Sequence, residues 1–209
     1  MDNYLIQARQ AQKLFRNYDQ EKLIQKFSLE ADEAYLYPVM LGCRYRLDRK
    51  TACLERQAEE SWLDANTHEE VMTLLDLLCD SRDDRCLTGR WKNMQSFGDG
   101  FHRGLLEDAP NPWASELAEN LTAFDEACQG LGAVPVMMGD RTWAVELFDG
   151  LRIALCLWLA DEDFPAQIRY YWDENALQYL RYETMYYACN LLKSRIRERM
   201  APSAHCQEA

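Results

Sequence analysis

The chain has 209 residues, of which 48% are hydrophobic, and this supplies enough apolar material for one large domain with a shared core. Its 35 acidic residues outnumber its 23 basic residues and give a formal net charge of -12. A nucleic-acid backbone would be repelled by this charge, so binding to DNA or RNA is not expected.

The N-terminal part is predicted to contain two short helices followed by a strand-rich meander. Apolar residues recur at helical spacing over residues 5–15 and again over residues 23–31. Alternating apolar positions over residues 35–56 predict several antiparallel strands, with Gly42 as a candidate β-bulge.

The middle of the chain begins with a helix signal. Thr67 and Glu70 match a capping box, in which a hydroxyl and a carboxylate satisfy free backbone donors at a helix start. The apolar stripe that follows predicts a helix over residues 68–79. A short strand is then expected over residues 87–92.

The second half is predicted to contain a helix and a β-hairpin. Asn111 as N-cap and Pro112 at the first helical position predict a helix that runs over residues 112–129. Asp149-Gly150 lies between two apolar runs and predicts the tight turn of a hairpin. The second strand of this hairpin is apolar on nearly both faces, which favours a central position in the sheet.

The C-terminal part is predicted to form a strand over residues 167–172 and a helix that runs over residues 174–200 with Asp173 as its cap. Together these segments predict a single α+β domain over residues 1–209. We expect an antiparallel sheet, built from the meander and the later strands, with helices packed mainly on one face.

The expected location of the protein is the cytoplasm. The N-terminal segment lacks the apolar core of a signal peptide, and the longest apolar run, residues 153–160, is far shorter than the about 20 residues that span a bilayer. No contact with a membrane is expected. In a reducing compartment the eight cysteines are thiols rather than disulfides.

Two cysteines are candidate metal ligands. Cys79 and Cys86 lie seven positions apart, and thiolates bind zinc and iron. This gap is wider than the short spacings of a structural zinc site or a ferredoxin cluster. Packing of Cys79 at a helix end and of Cys86 beside a strand is the competing interpretation, and no cofactor is identified.

The segment over residues 93–112 has no regular pattern and is the predicted binding region. The candidate ligand-binding residues in it are Gly98, Gly100, His102 and Arg103. Glycines permit the close approach of an anion, and His102 is a candidate general base or anion contact. The glycine spacing matches neither a dinucleotide-binding motif nor a P-loop, so a flexible connection is the competing interpretation.

Two charged clusters are interpreted as solvated surface. The acidic residues 161–163 precede Phe164-Pro165 and are typical of an exposed turn. The helix dipole favours cations in the last turns of a helix, so we interpret the four basic residues near the C-terminus as solvated residues of a helix end. They are Lys193, Arg195, Arg197 and Arg199.

The order of four segments, at residues 41–55, 69–80, 89–93 and 161–192, resembles an uncharacterised bacterial family, a domain of unknown function that is common in anaerobes. The resemblance covers nearly the whole chain. Some members join this domain to a cysteine-rich iron–sulfur segment, which implies a loose association with redox or one-carbon metabolism. This sequence contains no such segment, and the family supplies no established catalytic residues.

We therefore expect an accessory or ligand-binding protein of bacterial metabolism that uses a cleft beside the 93–112 loop. Its partner is an unidentified protein or small molecule. Two alternatives stay open, a metal-dependent or iron–sulfur-associated enzyme and a structural interaction subunit. The serine-nucleophile and zinc-protease motifs of known hydrolases are missing from the sequence.

Overall fold

The computed structural model describes residues 3–98 and 111–201. These residues form six α-helices and eleven strands. The helices are α1 (Asn3–Phe15), α2 (Gln20–Phe27), α3 (His68–Asp80), α4 (Pro112–Glu119), α5 (Leu121–Gly130) and α6 (Tyr182–Met200). Short 3-10 helices cover Met94–Phe97 and Ala176–Gln178. The predicted α+β class is confirmed.

The strands are divided between two antiparallel sheets, as the described residues show. The first sheet has the order β1-β2-β4-β5-β6, with β3 paired to β4. Its strands are β1 (Glu30–Ala31), β2 (Tyr35–Tyr37), β3 (Val39–Met40), β4 (Cys43–Asp48), β5 (Leu54–Ala58) and β6 (Ser61–Asp64). Burial alternates strictly along β4, so one face of this sheet meets the core and the other faces outward.

The second sheet has the order β7-β11-β10-β9-β8. Its strands are β7 (Trp91–Asn93), β8 (Val134–Pro135), β9 (Arg141–Phe148), β10 (Leu151–Trp158) and β11 (Gln167–Asp173). The hairpin at Asp149-Gly150 is confirmed, and both turn residues have the positive φ values that such a turn requires. The central position of β10 is also confirmed, because β9 and β11 flank it.

One point of the sequence interpretation needs correction, because the meander and the later strands do not form one sheet. The turn after β3 contacts the second sheet, with a hydrogen bond from Leu41 N to Leu147 O of 3.1 Å, but among the described residues no strand of one sheet pairs with a strand of the other. Alternation along a strand identifies which residues face the core, but the hydrogen-bonding edges of any two strands are chemically alike. The choice of sheet is therefore made by the packing of the whole chain.

Gly42 is a turn residue rather than the bulge that we expected. Met40 pairs with Cys43, which leaves Leu41 and Gly42 as a two-residue hairpin turn. Their φ angles of 50° and 67° lie in the left-handed region. Two consecutive positive φ values define the mirror-image turn that joins twisted strands, and glycine adopts this conformation at low cost.

The predicted helix over residues 112–129 is two helices that meet at Asn120. Its start is confirmed, since the side chain of Asn111 accepts a hydrogen bond from Trp113 N at 3.1 Å. At Asn120 the backbone leaves the helical region, with φ -129° and ψ 45°. The Asn120 side chain donates to Glu116 O, which satisfies a carbonyl at the break.

Asp173 does not cap the terminal helix. It is the last residue of β11, and its carboxylate accepts hydrogen bonds from Thr88 N, Gly89 N and Asn175 N. The backbone donors of Thr88 and Gly89 are therefore used by a side chain instead of a strand partner. This explains why the predicted strand over residues 87–92 is reduced to β7, which begins at Trp91.

The terminal helix begins at Tyr182 instead of residue 174. Its N-terminal backbone donor, Arg181 N, bonds to the carboxylate of Asp76 on α3 at 2.9 Å. The cap is thus supplied by another helix, more than a hundred residues away in sequence. Local capping signals cannot reveal such a partner.

Residues of both sheets and of all six helices contribute to one hydrophobic cluster. The described part of the chain contains seven cysteines, and all of them are free thiols. Among residues 3–98 and 111–201, none of the helices combines the length and the apolarity needed to cross a bilayer.

Candidate functional site

A groove of about 560 Å³ lies between α2 and the C-terminal end of α3. Its volume falls within the range typical of small-molecule sites. The groove is lined by Tyr18, Asp19, Lys22, Leu23, Gln25, Lys26, Cys79, Asp83 and Arg85. We refer to it as the α2–α3 groove.

The sequence of α2 explains how this helix presents its polar residues to the groove. Asp19 caps the helix by accepting a hydrogen bond from Lys22 N, and Leu23 is buried in the core. Lys26 lies one turn after Lys22, so both project from the same side. The ammonium of Lys26 donates to Ser81 O and pairs with Asp83 at 3.0 Å. This contact holds α2 against the end of α3.

The charge in the α2–α3 groove differs in sign from that of the chain. Its lining contains three basic and two acidic residues, whereas the whole chain has a net charge of -12. Arg85 is held rigidly at one wall, since its Nε donates to Asp149 at 2.7 Å. The guanidinium of Arg85 also lies 4.6 Å from the ring centre of Phe27. The residues that line the groove therefore carry one more cation than acids, and the acid that pairs with Arg85 lies outside the lining.

A pair of carboxylates lies beside the groove. A smaller cavity, of about 50 Å³, shares Tyr18 and Cys79 with it and is lined also by Asp76, Asp80 and Arg181. The Nη2 atom of Arg181 is 2.6 Å from Asp76 and 3.0 Å from Asp80. One guanidinium thus holds both acids, which stand one helical turn apart on α3.

The two acids have opposite pKa shifts. Burial and the hydrogen bond shared with Asp76 raise the pKa of Asp80 above its ordinary value. Burial also acts to raise the pKa of Asp76, but hydrogen bonds from Asp80, Thr184 and Arg181 outweigh it and lower that pKa. When one proton is shared, it therefore resides on Asp80. Such separation of two neighbouring carboxyls is typical of acid–base sites.

Replacing Asp80 with asparagine should stabilise the protein at neutral pH by about 0.5 kcal/mol, since the charge of Asp80 is partly exposed and screened. The raised pKa means that ionisation of Asp80 costs stability as the pH rises through the carboxyl range. The gain of the variant should therefore shrink when the pH falls below that range. Urea unfolding at pH 7 and pH 3 measures the difference.

Asp83→Asn is the matched control, because the side chain of Asp83 is 95% exposed and lies on the same segment. This variant loses the ion pair with Lys26, in which the carboxylate is exposed, and should show no gain at either pH. A destabilised D80N protein at pH 7 would mean that the charge of Asp80 supports the fold.

The candidate metal ligands lie in different surroundings. Cys79 lines the groove, and burial raises the pKa of its thiol to about 12. Cys86 is exposed, and the Asn175 amide lies 3.5 Å from its sulfur. Over residues 3–98 and 111–201, no group of three or more histidine, cysteine, aspartate or glutamate side chains is placed to hold a metal ion. Metal binding at these two cysteines stays a prediction.

The predicted binding loop falls mostly outside the described residues, which include neither Gly100, His102 nor Arg103. Gly98 is described and lies against α6, where an added Cβ would stand 2.6 Å from the hydroxyl of Tyr182. Close packing against this phenol explains the glycine at position 98. Its role in ligand binding stays a prediction.

The interpretation of all four C-terminal cations as solvated is wrong for Arg195. This residue is 4% exposed and forms a buried ion pair with Glu70, which is also 4% exposed. Tyr45 donates to the carboxylate of Glu70 at 3.2 Å and accepts from Arg195 at 3.0 Å. We refer to these three residues as the buried triad. Glu198 pairs with the other terminal nitrogen of Arg195 at 2.7 Å.

A signal for this burial was present in the sequence. Leu191 lies four positions before Arg195, and Ile196 follows Arg195 directly. Leu191 and Ile196 are both buried. Helical spacing therefore places Arg195 on the apolar side of α6. We interpreted Arg195 as solvated because cations are common near the C-terminal ends of helices, and we gave less importance to this spacing.

A model of one protein family, described as Domain of unknown function (DUF3786), matches residues 19–195. The match includes every residue that lines the α2–α3 groove except Tyr18. No curated protein and no solved structure matches the chain.

Proposed function

The chain belongs to the family described as a domain of unknown function, DUF3786, and from this premise we propose that it is an accessory protein that binds a small organic anion in the α2–α3 groove. The observation that carries the proposal is the groove itself. It combines a volume of about 560 Å³ with a positive excess in an otherwise acidic chain.

The chemistry of the lining suggests a ligand with two parts. The ring of Tyr18 and the thiol of Cys79 present apolar surface, which favours a hydrophobic body. Lys22 is 80% exposed and its distance of 3.8 Å to Asp19 is long for an ion pair, so its ammonium remains available to an anionic group. A carboxylate or sulfonate attached to an aromatic or aliphatic body satisfies both requirements.

Anilinonaphthalene sulfonate is a suitable probe because it combines an aromatic body with one anionic group. The native protein should bind it with saturable fluorescence and one probe per chain. The uncharged analogue N-phenylnaphthylamine should bind more weakly, because it cannot use the positive excess of the groove. Equal affinity for the two probes would show that the groove does not select an anion.

Gln25→Trp should reduce probe binding at least tenfold. Gln25 is exposed and lines the groove, so a tryptophan there fills the space without entering the core. Gln10→Trp is the matched control, since Gln10 is an exposed residue on α1 and does not line the groove. Unchanged binding in both variants would place the probe elsewhere and contradict the proposal.

The proposed setting of this activity is the cytoplasm of a bacterium. The seven free thiols in the described part of the chain fit a reducing compartment. The bacterial setting and a role in redox or one-carbon metabolism follow from the family resemblance of the sequence segments. Fractionation of cells that express the tagged protein tests the compartment.

An enzyme is the alternative that one observation favours. Asp80 is a carboxyl group with a raised pKa, and it lies beside a groove that also presents the phenol of Tyr18. Such a group is a candidate general acid. Elemental analysis and the absorption spectrum of anaerobically purified protein test the metal-dependent form of this alternative. Stoichiometric iron or zinc would favour it over the accessory role.

A further inference from the structure

A second cleft, of about 340 Å³, lies at the opposite end of α3 from the α2–α3 groove. It is bounded by β5, β6, the N-terminus of α3 and the last turns of α6. Its lining residues are Arg56, Asp64, Thr67, Glu69, Glu70, Asn190, Leu191, Ser194, Arg195 and Glu198. We refer to it as the α3–α6 cleft, and nothing in the proposed function uses it.

The acids in the cleft are only partly neutralised. Both arginines are occupied, since Arg195 pairs with Glu70 and Glu198, and Arg56 pairs with Glu198 at 3.2 Å. Among the described residues, two carboxylates of the cleft have no cation. The carboxylate of Asp64 accepts a hydrogen bond from the neutral side chain of Asn66, and the side chain of Glu69 has no hydrogen bond or ion pair.

The same cleft is lined by a residue with an unused donor. Arg195 is 4% exposed, and its buried Nε atom has no hydrogen-bond partner among the described residues. A buried guanidinium donor without a partner is costly, so an acceptor that reaches Arg195 from the cleft would remove this cost. Ser194 and Asn190 stand one turn apart on α6 at the mouth of the cleft. Each adds a polar side chain that can donate to an oxygen.

We propose that the α3–α6 cleft binds a basic α-amino acid. The carboxylate of the ligand accepts hydrogen bonds on the α6 side, from Ser194, Asn190 and the guanidinium of Arg195. Its two ammonium groups neutralise Asp64 and Glu69 on the opposite side. A ligand with a single charge would leave either the donors or the acids without a partner.

Calorimetric titration with three related compounds tests the proposal. L-lysine has the carboxylate and both ammonium groups, cadaverine lacks the carboxylate, and ε-aminocaproate lacks the α-ammonium group. L-lysine should bind at least tenfold more tightly than either of the others. No detectable binding of L-lysine at millimolar concentration would reject the proposal, and so would equal affinity for L-lysine and cadaverine.

Two variants separate the acidic and the donor side of the cleft. Glu69→Gln should weaken L-lysine binding at least tenfold, whereas Ser194→Ala should weaken the binding of L-lysine and leave that of cadaverine unchanged. Glu126→Gln is the control, because Glu126 is an exposed residue of α5 outside the cleft. Glu69 and Ser194 are both at least partly exposed, so the two variants should fold. If Glu69→Gln and Ser194→Ala both bind L-lysine as tightly as the parent protein, the proposal is wrong.

Discussion

Replacing Arg195 with methionine should lower the free energy of unfolding by about 3–5 kcal/mol, because the carboxylate of Glu70 is then buried without its cation. Methionine replaces the aliphatic stem of the arginine and removes its charged guanidinium. The larger part of the loss is therefore electrostatic, because the partners of the guanidinium stay buried. Urea unfolding at pH 7 measures it.

A double variant identifies the cause of this loss, because it removes the buried charge of Glu70 together with its cation. Glu70→Gln combined with Arg195→Met should recover a large part of the stability. If the double variant is as unstable as R195M, the uncompensated charge is not the cause.

Arg197→Met is the control for the same helix. Arg197 forms an ion pair with Glu116, but both side chains are at least 39% exposed. Exposed ion pairs contribute about 0–1 kcal/mol, so this variant should stay within that range. The comparison separates the effect of burial from the loss of an arginine on α6.

Gly42→Ala should destabilise the protein by about 2–4 kcal/mol. An alanine at φ +67° carries the cost of the left-handed region, which is about 1 kcal/mol. Its Cβ would also stand 2.8 Å from the backbone oxygen of Leu131, which follows α5. Because this neighbour is backbone, relief requires α5 to move away from the β3–β4 turn. The midpoint of urea unfolding reports the loss.

Gly132→Ala isolates the conformational part of that effect. Gly132 has φ +72°, but an added Cβ would meet nothing within 4 Å. We expect a loss of about 1 kcal/mol, from backbone strain alone. If G42A and G132A lose equal stability, the contact with Leu131 has no energetic role.

The two proposed sites lie at opposite ends of α3. Glu69 and Glu70 in its first turn line the α3–α6 cleft, and Cys79 in its last turn lines the α2–α3 groove. A helix of 13 residues spans about 20 Å. Substitutions in the two sites should therefore have additive effects, and the failure of one proposal leaves the other intact.

Local chemistry made several elements predictable. The hairpin at Asp149-Gly150 and the helix starts at Thr67 and Asn111 depend on a few adjacent residues, whose turn or cap geometry is the same in any fold. Elements that depend on a distant partner were not predictable. α6 begins where Asp76 of α3 supplies its cap, and β7 is short because Asp173 takes the backbone donors before it.

The candidate sites could also be predicted only in part from the sequence. Cys79 was a candidate from its residue type alone, but its neighbours Lys26 and Arg85 are brought to it by the packing of α2 and by the hairpin at Asp149. The α3–α6 cleft had no sequence signal, because its acids and its arginines come from segments that are 125 residues apart at Glu70 and Arg195.

The sequence by itself determined the α+β class, the family, the net negative charge and the elements that short motifs specify. It could do so because caps, tight turns and apolar periodicity act between residues that are close along the chain. The tertiary structure alone decided the division into two sheets, the start of α6, the pairing of Arg195 with Glu70 and both cavities. These features depend on which distant groups share a buried, low-dielectric environment, where an unpaired charge or donor is costly and must find its partner.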